Sequence, residues 1–175
     1  MFTLVKVEQK YYDSIREYRK EMLEANSSFD GCFLLNQYED IEKWHLNNQL
    51  FESFITCPPG YSIGFIYLYV QDNEVVGMVN IRPEALSHPM LKQYGGHIGY
   101  SVKPSYRKKG IGKRMLKDVL TLCKDEFELD KVLITCLEDN LGSKKIIVDN
   151  GGILEDTIIY PPEHKNMHRF WISLD

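Results

Sequence analysis

The chain has 175 residues, 43% of them hydrophobic and 26% charged, and its formal net charge at pH 7 is −4. The hydrophobic and charged fractions lie close to globular averages, and the net negative charge argues against nucleic acid as the main partner. No apolar run approaches the ~18 residues of a membrane-spanning helix. The four cysteines form no C-x-x-C pair, and the histidines show no metal-ligand spacing. We therefore expect a single cytoplasmic domain over residues 1–175, a monomer or homodimer, with no metal and no membrane contact.

The N-terminal third of the chain predicts a strand followed by two helices. Residues 2–7 are strand-like, and residues 12–25 place apolar side chains at helical spacing. A second helix is predicted to begin at Asn36, because Glu39 three residues later resembles a capping box. The apolar stripe of this helix would consist of Leu46, Leu50 and Phe54. The helix should end at the run Pro58, Pro59 and Gly60.

The rest of the chain predicts a mixed α/β sheet. Six further strands are expected, at residues 62–70, 75–82, 97–103, 131–137, 153–160 and 169–174. The first two are joined by a polar four-residue connection, which favours an antiparallel hairpin. A long amphipathic helix should follow the strand 97–103, and a short helix should span residues 140–150. This order predicts a sheet of about seven strands with helices on both faces.

The turn between the strand 97–103 and the long helix carries the strongest functional signal. Its basic residues, uninterrupted by any acidic one, are Lys103, Arg107, Lys108, Lys109, Lys113 and Arg114. Gly110 and Gly112 allow close backbone approach, so that successive N–H groups can converge on one point. The start of a helix adds unpaired N–H groups and a partial positive charge. Together these features predict an anion site suited to a diphosphate.

Two nucleotide-binding motifs do not fit this turn. A dinucleotide fingerprint needs a third glycine at position 115, where the chain has Met115. A P-loop needs glycine at position 107 and Ser or Thr at position 114, where the chain has Arg107 and Arg114. The remaining alternative to a diphosphate site is a solvated basic loop before a helix.

The run Val102-x4-Arg107-x-x-Gly110-x-Gly112 resembles the acetyl-CoA signature of the GNAT N-acetyltransferases, V-x4-[Q/R]-x-x-G-x-[G/A]. The resemblance implies one GNAT-like α/β domain, whose mostly antiparallel sheet has a splayed central pair of strands. It also implies acetyl-CoA as co-substrate, with the turn on its pyrophosphate and the preceding strand along its pantetheine arm. The coenzyme-binding residues that it implies are Tyr100, Ser101, Val102, Arg107, Lys108, Lys109, Gly110, Ile111, Gly112, Lys113, Asn140 and Ser143.

A second run, Asn140 to Ser143 followed by Gly151-Gly152, resembles the later motif of the same family. Asn140 would either cap its helix or bond the pantetheine, and the sequence leaves both open. The family commonly has a tyrosine four residues after Ser143, as the acid that protonates the leaving thiolate. This chain has Ile147 there, so the usual general acid is missing.

Two residues of the strand 97–103 are candidates for catalysis. His97 is predicted as a general base, since an ordinary imidazole pKa of ~6.5 suits proton removal near neutrality. Its alternative role is to end the strand and bond a loop carbonyl. Tyr100 is a candidate acid or substrate wall, and otherwise a core aromatic. We predict acetyl transfer from acetyl-CoA to a primary amine of a small molecule or peptide, by direct attack in a ternary complex; the alternative is an acyl-CoA-binding sensor that has lost catalysis.

Overall fold

Seven strands and four helices succeed one another in the computed structural model, which describes residues 1–175. In chain order they are β1 Phe2–Lys6, α1 Tyr12–Glu24, α2 Ile41–Leu50, β2 Phe65–Gln71, β3 Glu74–Ile81, β4 Ile98–Val102, α3 Ile111–Asp125, β5 Lys131–Leu137, α4 Leu141–Asp149, β6 Ile153–Tyr160 and β7 Lys165–Ser173. The predicted order of elements is confirmed. None of the helices combines the length and the apolar character needed to cross a membrane.

The strands form two antiparallel sheets that meet at β4 and β5. One sheet has the order β1-β2-β3-β4 and the other the order β5-β7-β6. No ladder joins β4 to β5; the His97 N–H donates to the Leu133 carbonyl at 2.8 Å, and beyond that point the strands separate. The predicted sheet of seven mostly antiparallel strands with a splayed central pair is therefore confirmed, and the splay is wide enough to divide the sheet in two.

Helices cover the first sheet on both faces, because β2 and β3 carry buried apolar side chains on alternate sides. The core on one face joins α1 and α2 to this sheet and includes Ile15, Tyr18, Trp44, Leu68 and Met78. The core on the other face joins α3 and α4 to both sheets and includes Val79, Met115, Val119, Ile134 and Ile147. β4 lies between the two cores: Val102 packs in the second, while the Ser101 hydroxyl lies 2.8 Å from the Tyr18 hydroxyl in the first. The position of β4 is thus fixed from both sides.

The second helix begins at Ile41, not at Asn36. The side chain of Asp40 accepts the N–H groups of its first turn, so the capping box predicted from Asn36 and Glu39 is wrong. The predicted apolar stripe is exposed, namely Leu46, Leu50 and Phe54. The side chains that α2 buries are Ile41, Trp44 and Asn48. Trp44 sets this register, because its indole N–H donates to two carbonyls of the preceding loop at 3.1 and 2.9 Å.

Two strand boundaries differ from the prediction by three residues or more. β2 begins at Phe65 rather than at residue 62, and β7 begins at Lys165 rather than at residue 169. The closing hairpin is longer because Tyr160 and Lys165 pair directly across the tight turn that contains the two prolines. This extension brings Met167 opposite Leu137, at the edge of the gap between the two sheets.

Candidate active site

A cleft of about 1110 Å³ opens where β4 and β5 separate. Residues 98–102 line one side and residues 135–137 line the other. One end, which we call the turn end, is lined by five residues of the turn 107–113 and by the start of α4. The opposite end, the loop end, is lined by Asp30, Gly31, Arg82, Met90, Leu91, Tyr94 and Gly95. The volume lies just above the range of ordinary ligand pockets, roughly 300–1,000 Å³.

β4 presents free backbone groups to this cleft. Its ladder with β3 includes the bond from the Arg82 N–H to the His97 carbonyl. Alternate residues of an antiparallel strand direct their N–H and C=O groups to the same neighbour. The residues whose groups point away from β3, towards the gap, are therefore Ile98, Tyr100 and Val102. Such an open strand edge can hydrogen-bond an extended ligand that carries amides.

The turn end is built from backbone N–H groups. Lys108 has φ +58° and Gly110 has φ +77°, so the chain curls before α3 begins. The N–H groups of residues 108–113 donate to no acceptor in the chain. They lie at a helix N-terminus, which favours an anion. A Cβ built on Gly110 meets nothing within 4 Å, so the space above the turn is open to a ligand.

The basic side chains of the turn differ in their availability. Three lysines are held by neighbours: Lys103 by Glu74 at 2.6 Å, Lys109 by the Ser105 carbonyl at 2.8 Å, and Lys113 by Asp149 at 3.4 Å. Arg107 folds back, and its Nε donates to the Val102 carbonyl at 2.9 Å. Lys108 is exposed and has no hydrogen bond or ion pair in the chain. The charge that remains most available to a bound anion is therefore that of Lys108.

The structure brings most of the predicted site residues into the cleft. Those that line it are Tyr100, Ser101, Val102, Arg107, Lys108, Gly110, Gly112, Lys113, Asn140 and Ser143. Lys109 and Ile111 do not line it; the first points outward and the second is buried in the core with α3. Gly112 also serves packing, because a Cβ there would lie 2.6 Å from the side chain of Ile146 on α4.

A hydrogen bond between two side chains crosses the cleft at the start of α4. Asn140 caps this helix, since its side-chain oxygen accepts the Ser143 N–H at 3.1 Å. The Ser143 hydroxyl lies 2.9 Å from the Tyr100 hydroxyl. Burial raises the pKa of Tyr100 above its ordinary value, so its hydroxyl keeps its proton. The middle of the cleft therefore contains a protonated donor.

Two other positions beside the cleft are poor candidates for chemistry. Ile147, at the position of the family's usual tyrosine, is fully buried in the core between the two sheets and α3. Cys136 lines the cleft, but burial raises its pKa to about 11. Because the thiolate and not the thiol is the nucleophile, Cys136 is unreactive near neutrality.

The placement of His97 contradicts its predicted role as a base. The residue is 2% exposed and does not line the cleft. The imidazole Nδ1 of His97 accepts the backbone N–H of Leu133 at 2.9 Å, and the backbone N–H of His97 donates to the Leu133 carbonyl. Burial also lowers the pKa of His97. The imidazole therefore joins β4 to β5 at the point where the cleft begins.

The loop end contains charged residues that the sequence did not single out. Gly31 lies directly against β4, since a Cβ built on it would be 2.5 Å from the Gly99 carbonyl oxygen. This contact puts Asp30 at the edge of the cleft, where the Ser28 hydroxyl donates to its carboxylate at 2.6 Å. Arg82, one residue past β3, reaches the same place. Only the turn signal Asp30-Gly31 is visible in the sequence, and it does not indicate a partner.

Comparisons with known proteins agree with this geometry. The chain matches the family model described as the acetyltransferase (GNAT) family over residues 15–147. A solved acetyltransferase from Salmonella typhimurium that modifies the N-terminal serine of a ribosomal protein is 19% identical, with a TM-score of 0.70, and 99% of this chain and 95% of that one are covered. A microcin self-immunity acetyltransferase, solved with acetyl-CoA and AMP, is 14% identical with a TM-score of 0.71, over 98% and 92% of the two chains.

A third similar structure is a spermidine N-acetyltransferase chimera of the Vibrio cholerae enzyme and hSSAT, 12% identical with a TM-score of 0.67 over 99% and 95% of the two chains. At these identities the solved structures support the fold alone. No curated protein matches the sequence significantly. The family model, however, spans most of the chain and includes the turn, the cleft and the start of α4. The chain therefore belongs to the GNAT acetyltransferase family.

Proposed function

We propose that the protein is a single-domain N-acetyltransferase that transfers an acetyl group from acetyl-CoA to a primary amine. The observation that carries this proposal is the row of N–H groups at residues 108–113 that have no acceptor, in the same cleft as the open edge of β4. A diphosphate fits the first feature, and an extended arm with two amides fits the second. Coenzyme A carries both groups.

The proposed coenzyme contacts follow the sequence prediction with two changes of role. The N–H groups of residues 108–113, together with the Lys108 side chain, would hold the pyrophosphate. Arg107 would act by orienting the end of β4, since its guanidinium already bonds the Val102 carbonyl. Lys109 and Ile111 would contribute their N–H groups rather than their side chains.

The chain's own residues can supply each step of the transfer once acetyl-CoA provides its thioester. A free N–H on the edge of β4, at Tyr100 or Val102, would stabilise the oxyanion that develops on the acetyl group. Asp30 would attract the acceptor's ammonium group and take its proton. The Tyr100 hydroxyl, shared with Ser143, would protonate the departing sulfur and regain a proton from the amine nitrogen, which loses its second proton on becoming the amide. Because Cys136 remains a thiol, direct attack in a ternary complex is favoured over an acyl-enzyme.

Two measurements test this function. Acetyl-CoA at ~100 times its dissociation constant should stabilise the native state by about 2.7 kcal/mol. For a chain of this length the melting temperature should then rise by roughly 5 to 10 °C. Desulfo-coenzyme A should stabilise the protein nearly as well. In the second measurement, the addition of primary amines should release thiol from acetyl-CoA. Stabilisation by NAD or ATP but not by coenzyme A would contradict the proposal.

A second candidate function is an acyl-CoA-binding sensor without catalysis. The observation that favours it is the buried Ile147, which leaves no tyrosine at the position where the family commonly has its acid. The sensor would bind coenzyme A equally well. It would release no thiol above the rate of hydrolysis with any amine in the panel, which separates it from the enzyme.

A further inference from the structure

The loop end of the cleft contains a cation without a matching anion. Arg82 donates through Nε to the Gly96 carbonyl at 3.0 Å and through one terminal nitrogen to the Gly95 carbonyl at 2.8 Å. No carboxylate lies within 4.0 Å of its guanidinium, and Asp30 acts on it only at longer range. Burial lowers the pKa of Arg82 to about 10, which leaves it charged at neutral pH. A partly buried charge without a counter-ion favours an anionic ligand.

The guanidinium lies beside the strand on which the transfer is proposed to occur. A Cβ built on Gly99 would be 3.4 Å from each of the two terminal nitrogens of Arg82. The Tyr100 N–H, on the open edge of β4, follows in the next residue. A group bound by Arg82 is therefore within a few bonds of the acetyl group that β4 would hold. An acceptor that carries its amine and its anionic group on neighbouring carbon atoms would fit this separation.

Arg82 and Leu91 also line a second, smaller cavity of about 120 Å³ between α2 and the β2–β3 hairpin. This volume corresponds to about four water molecules at their liquid volume of about 30 Å³ each. It is large enough for a side chain of a few non-hydrogen atoms. Phe51 forms the aromatic wall of this cavity. Its ring packs edge-on against the rings of Phe33 and Tyr61, with ring centroids 4.5 and 5.4 Å apart.

Two buried amides of the small cavity have no partner. Asn48 on α2 is 4% exposed and its Nδ2 makes no hydrogen bond; Asn80 on β3 is 6% exposed and its Oδ1 makes none. Buried polar groups of this kind are normally satisfied. Gly64 leaves room for Asn80, since a Cβ on Gly64 would lie 2.9 Å from the Asn80 Oδ1. One free donor and one free acceptor beside an aromatic wall suit a neutral polar group such as a carboxamide or a hydroxyl.

We propose that the acceptor is a free amino acid, whose α-carboxylate binds Arg82 and whose side chain enters the small cavity between Asn48 and Asn80. This inference rests on the proposed acetyl transfer and specifies its substrate class. A bidentate carboxylate pair suits the fork of a guanidinium and orients the α-amine towards β4. Asp30, which interacts with the Arg82 guanidinium only at longer range, would hold the acceptor's ammonium group until that group loses its proton. A peptide N-terminus, which lacks the carboxylate, is disfavoured.

The test compares L-amino acids with the corresponding L-amino acid amides as acceptors, by thiol release from acetyl-CoA. The amide lacks the carboxylate, and without it the α-amine is also less basic, so kcat/KM is compared per unprotonated amine. On that basis it should fall about tenfold to a hundredfold for the amide, as expected for a hydrogen bond between charged groups worth about 1.5–3 kcal/mol. Asparagine or glutamine should be preferred to leucine. In Arg82→Gln the acid and the amide should become equal substrates, while the dissociation constant of coenzyme A stays unchanged. The matched control is Arg16→Gln, because Arg16 is an exposed arginine paired with Asp13 on α1.

A second variant guards against a folding effect, since Arg82 also holds the segment before β4. Asn48→Leu leaves Arg82 in place and should remove only the preference for asparagine or glutamine over leucine. Equal rates for acid and amide in the unaltered protein, or an equal loss of both rates in Arg82→Gln, would overturn the proposal while leaving acetyl transfer intact. If no amine is acetylated, the proposed function fails and the inference is decided by binding. N-acetyl amino acids should then raise the melting temperature of the protein more than the corresponding N-acetyl amino acid amides do. Arg82→Gln should abolish this difference. The absence of a difference in the unaltered protein would overturn the inference.

Discussion

The two ends of the cleft present different chemical groups to a ligand. At the turn end, the ligand-facing groups are backbone N–H groups of one continuous segment, residues 108–113. At the loop end they are side chains from separate parts of the chain: Asp30 follows α1, and Arg82 follows β3. The middle of the cleft joins them through β4, where Tyr100 reaches Ser143.

This difference teaches how one scaffold can combine a fixed ligand with a variable one. Backbone groups at a helix N-terminus recognise a diphosphate whatever the neighbouring side chains are. Side chains from distant segments can be exchanged one at a time, and each exchange changes charge or size at the acceptor's position. Function in such a fold depends on the site more than on the architecture. Variants at each end should therefore have separable effects.

The largest effect is expected from Gly31→Ala at the loop end. Its φ is +75°, and the added Cβ would lie 2.5 Å from the Gly99 carbonyl oxygen and 2.6 Å from the Tyr100 Cα. Because both neighbours are backbone atoms, the free energy of unfolding should fall by about 3 kcal/mol, measured by denaturant titration. Gly60→Ala is the control, since Gly60 has φ +86° with nothing within 4 Å. Equal losses in the two variants would mean that Gly31 does not pack against β4 as described.

Asp30→Asn should affect the acceptor side of the reaction without affecting the coenzyme. Removing a base that takes the amine's proton should lower kcat/KM for the acceptor by about a hundredfold. The dissociation constant of coenzyme A should not change. Glu163→Gln is the matched control, because Glu163 also lines the cleft but comes from the β6–β7 turn. A comparable loss in both variants would indicate a general attraction of cations and not a base at Asp30.

Tyr100→Phe tests the residue that lies between the two ends. The ring and its packing remain, and only the hydroxyl that bonds Ser143 is lost. We expect kcat to fall by about thirtyfold, less than for a base, because coenzyme A thiolate is a fair leaving group without help. KM for acetyl-CoA should change little. An unchanged kcat, in steady-state assays where chemistry limits the rate, would remove Tyr100 from the mechanism.

Gly110→Ala should weaken the turn end selectively. A Cβ there meets no atom of the chain and would occupy open space beside the N–H groups proposed to hold the pyrophosphate. The dissociation constant of coenzyme A should rise at least tenfold, equivalent to ~1.4 kcal/mol. Gly151→Ala carries the same backbone strain, because Gly151 has φ +88° and nothing within 4 Å. Both variants should therefore lose similar stability without ligand, and only Gly110→Ala should lose affinity. Unchanged affinity for coenzyme A would indicate that this segment is a turn without a coenzyme site.

The smallest effect concerns His97 and acid. Burial lowers the pKa of His97 in the folded state below its unfolded value of ~6.5. Its contribution to stability is therefore complete above about pH 6.5 and is lost as the pH falls below that value and through the lower pKa of the folded state. His97→Asn keeps an acceptor for the Leu133 N–H but cannot titrate, so its loss of stability between pH 7 and pH 5 should be smaller by up to about 1 kcal/mol. His164→Asn, at an exposed turn, should behave like the unaltered protein. Identical pH profiles for all three would contradict this role.

The sequence predicted the elements and the backbone geometry of the turn end well, because both depend on local patterns. Gly110 and Gly112 at fixed spacing specify backbone geometry within one segment, and the structure has free N–H groups there. Asn140 likewise predicted a helix start that the structure confirms. The register of α2 was mispredicted because it is set by a distant contact, the bond from the Trp44 indole to the loop before it.

The loop end could not be predicted, because nothing local relates its members. Asp30 and Arg82 are brought together only by the packing of Gly31 against β4 and by the position of β3 beside it. His97 was assigned to chemistry because of its ordinary pKa, whereas its role depends on Leu133, which is 36 residues further on. Residue type alone does not distinguish a reactive imidazole from one that replaces a missing ladder bond.

The single hydrogen-bonded residue pair between the ends of β4 and β5, His97 and Leu133, has a consequence for how the molecule assembles. The β2–β3 and β6–β7 ladders each join strands that are neighbours in the chain, so their loops close at little entropic cost. Such local pairings form readily, whereas the bonds between His97 and Leu133 require the intervening α3 to be in place first. We therefore expect the two halves to fold before they dock. The cleft then arises from the docking step, and its width depends on how the halves meet rather than on the hydrogen bonds within either one.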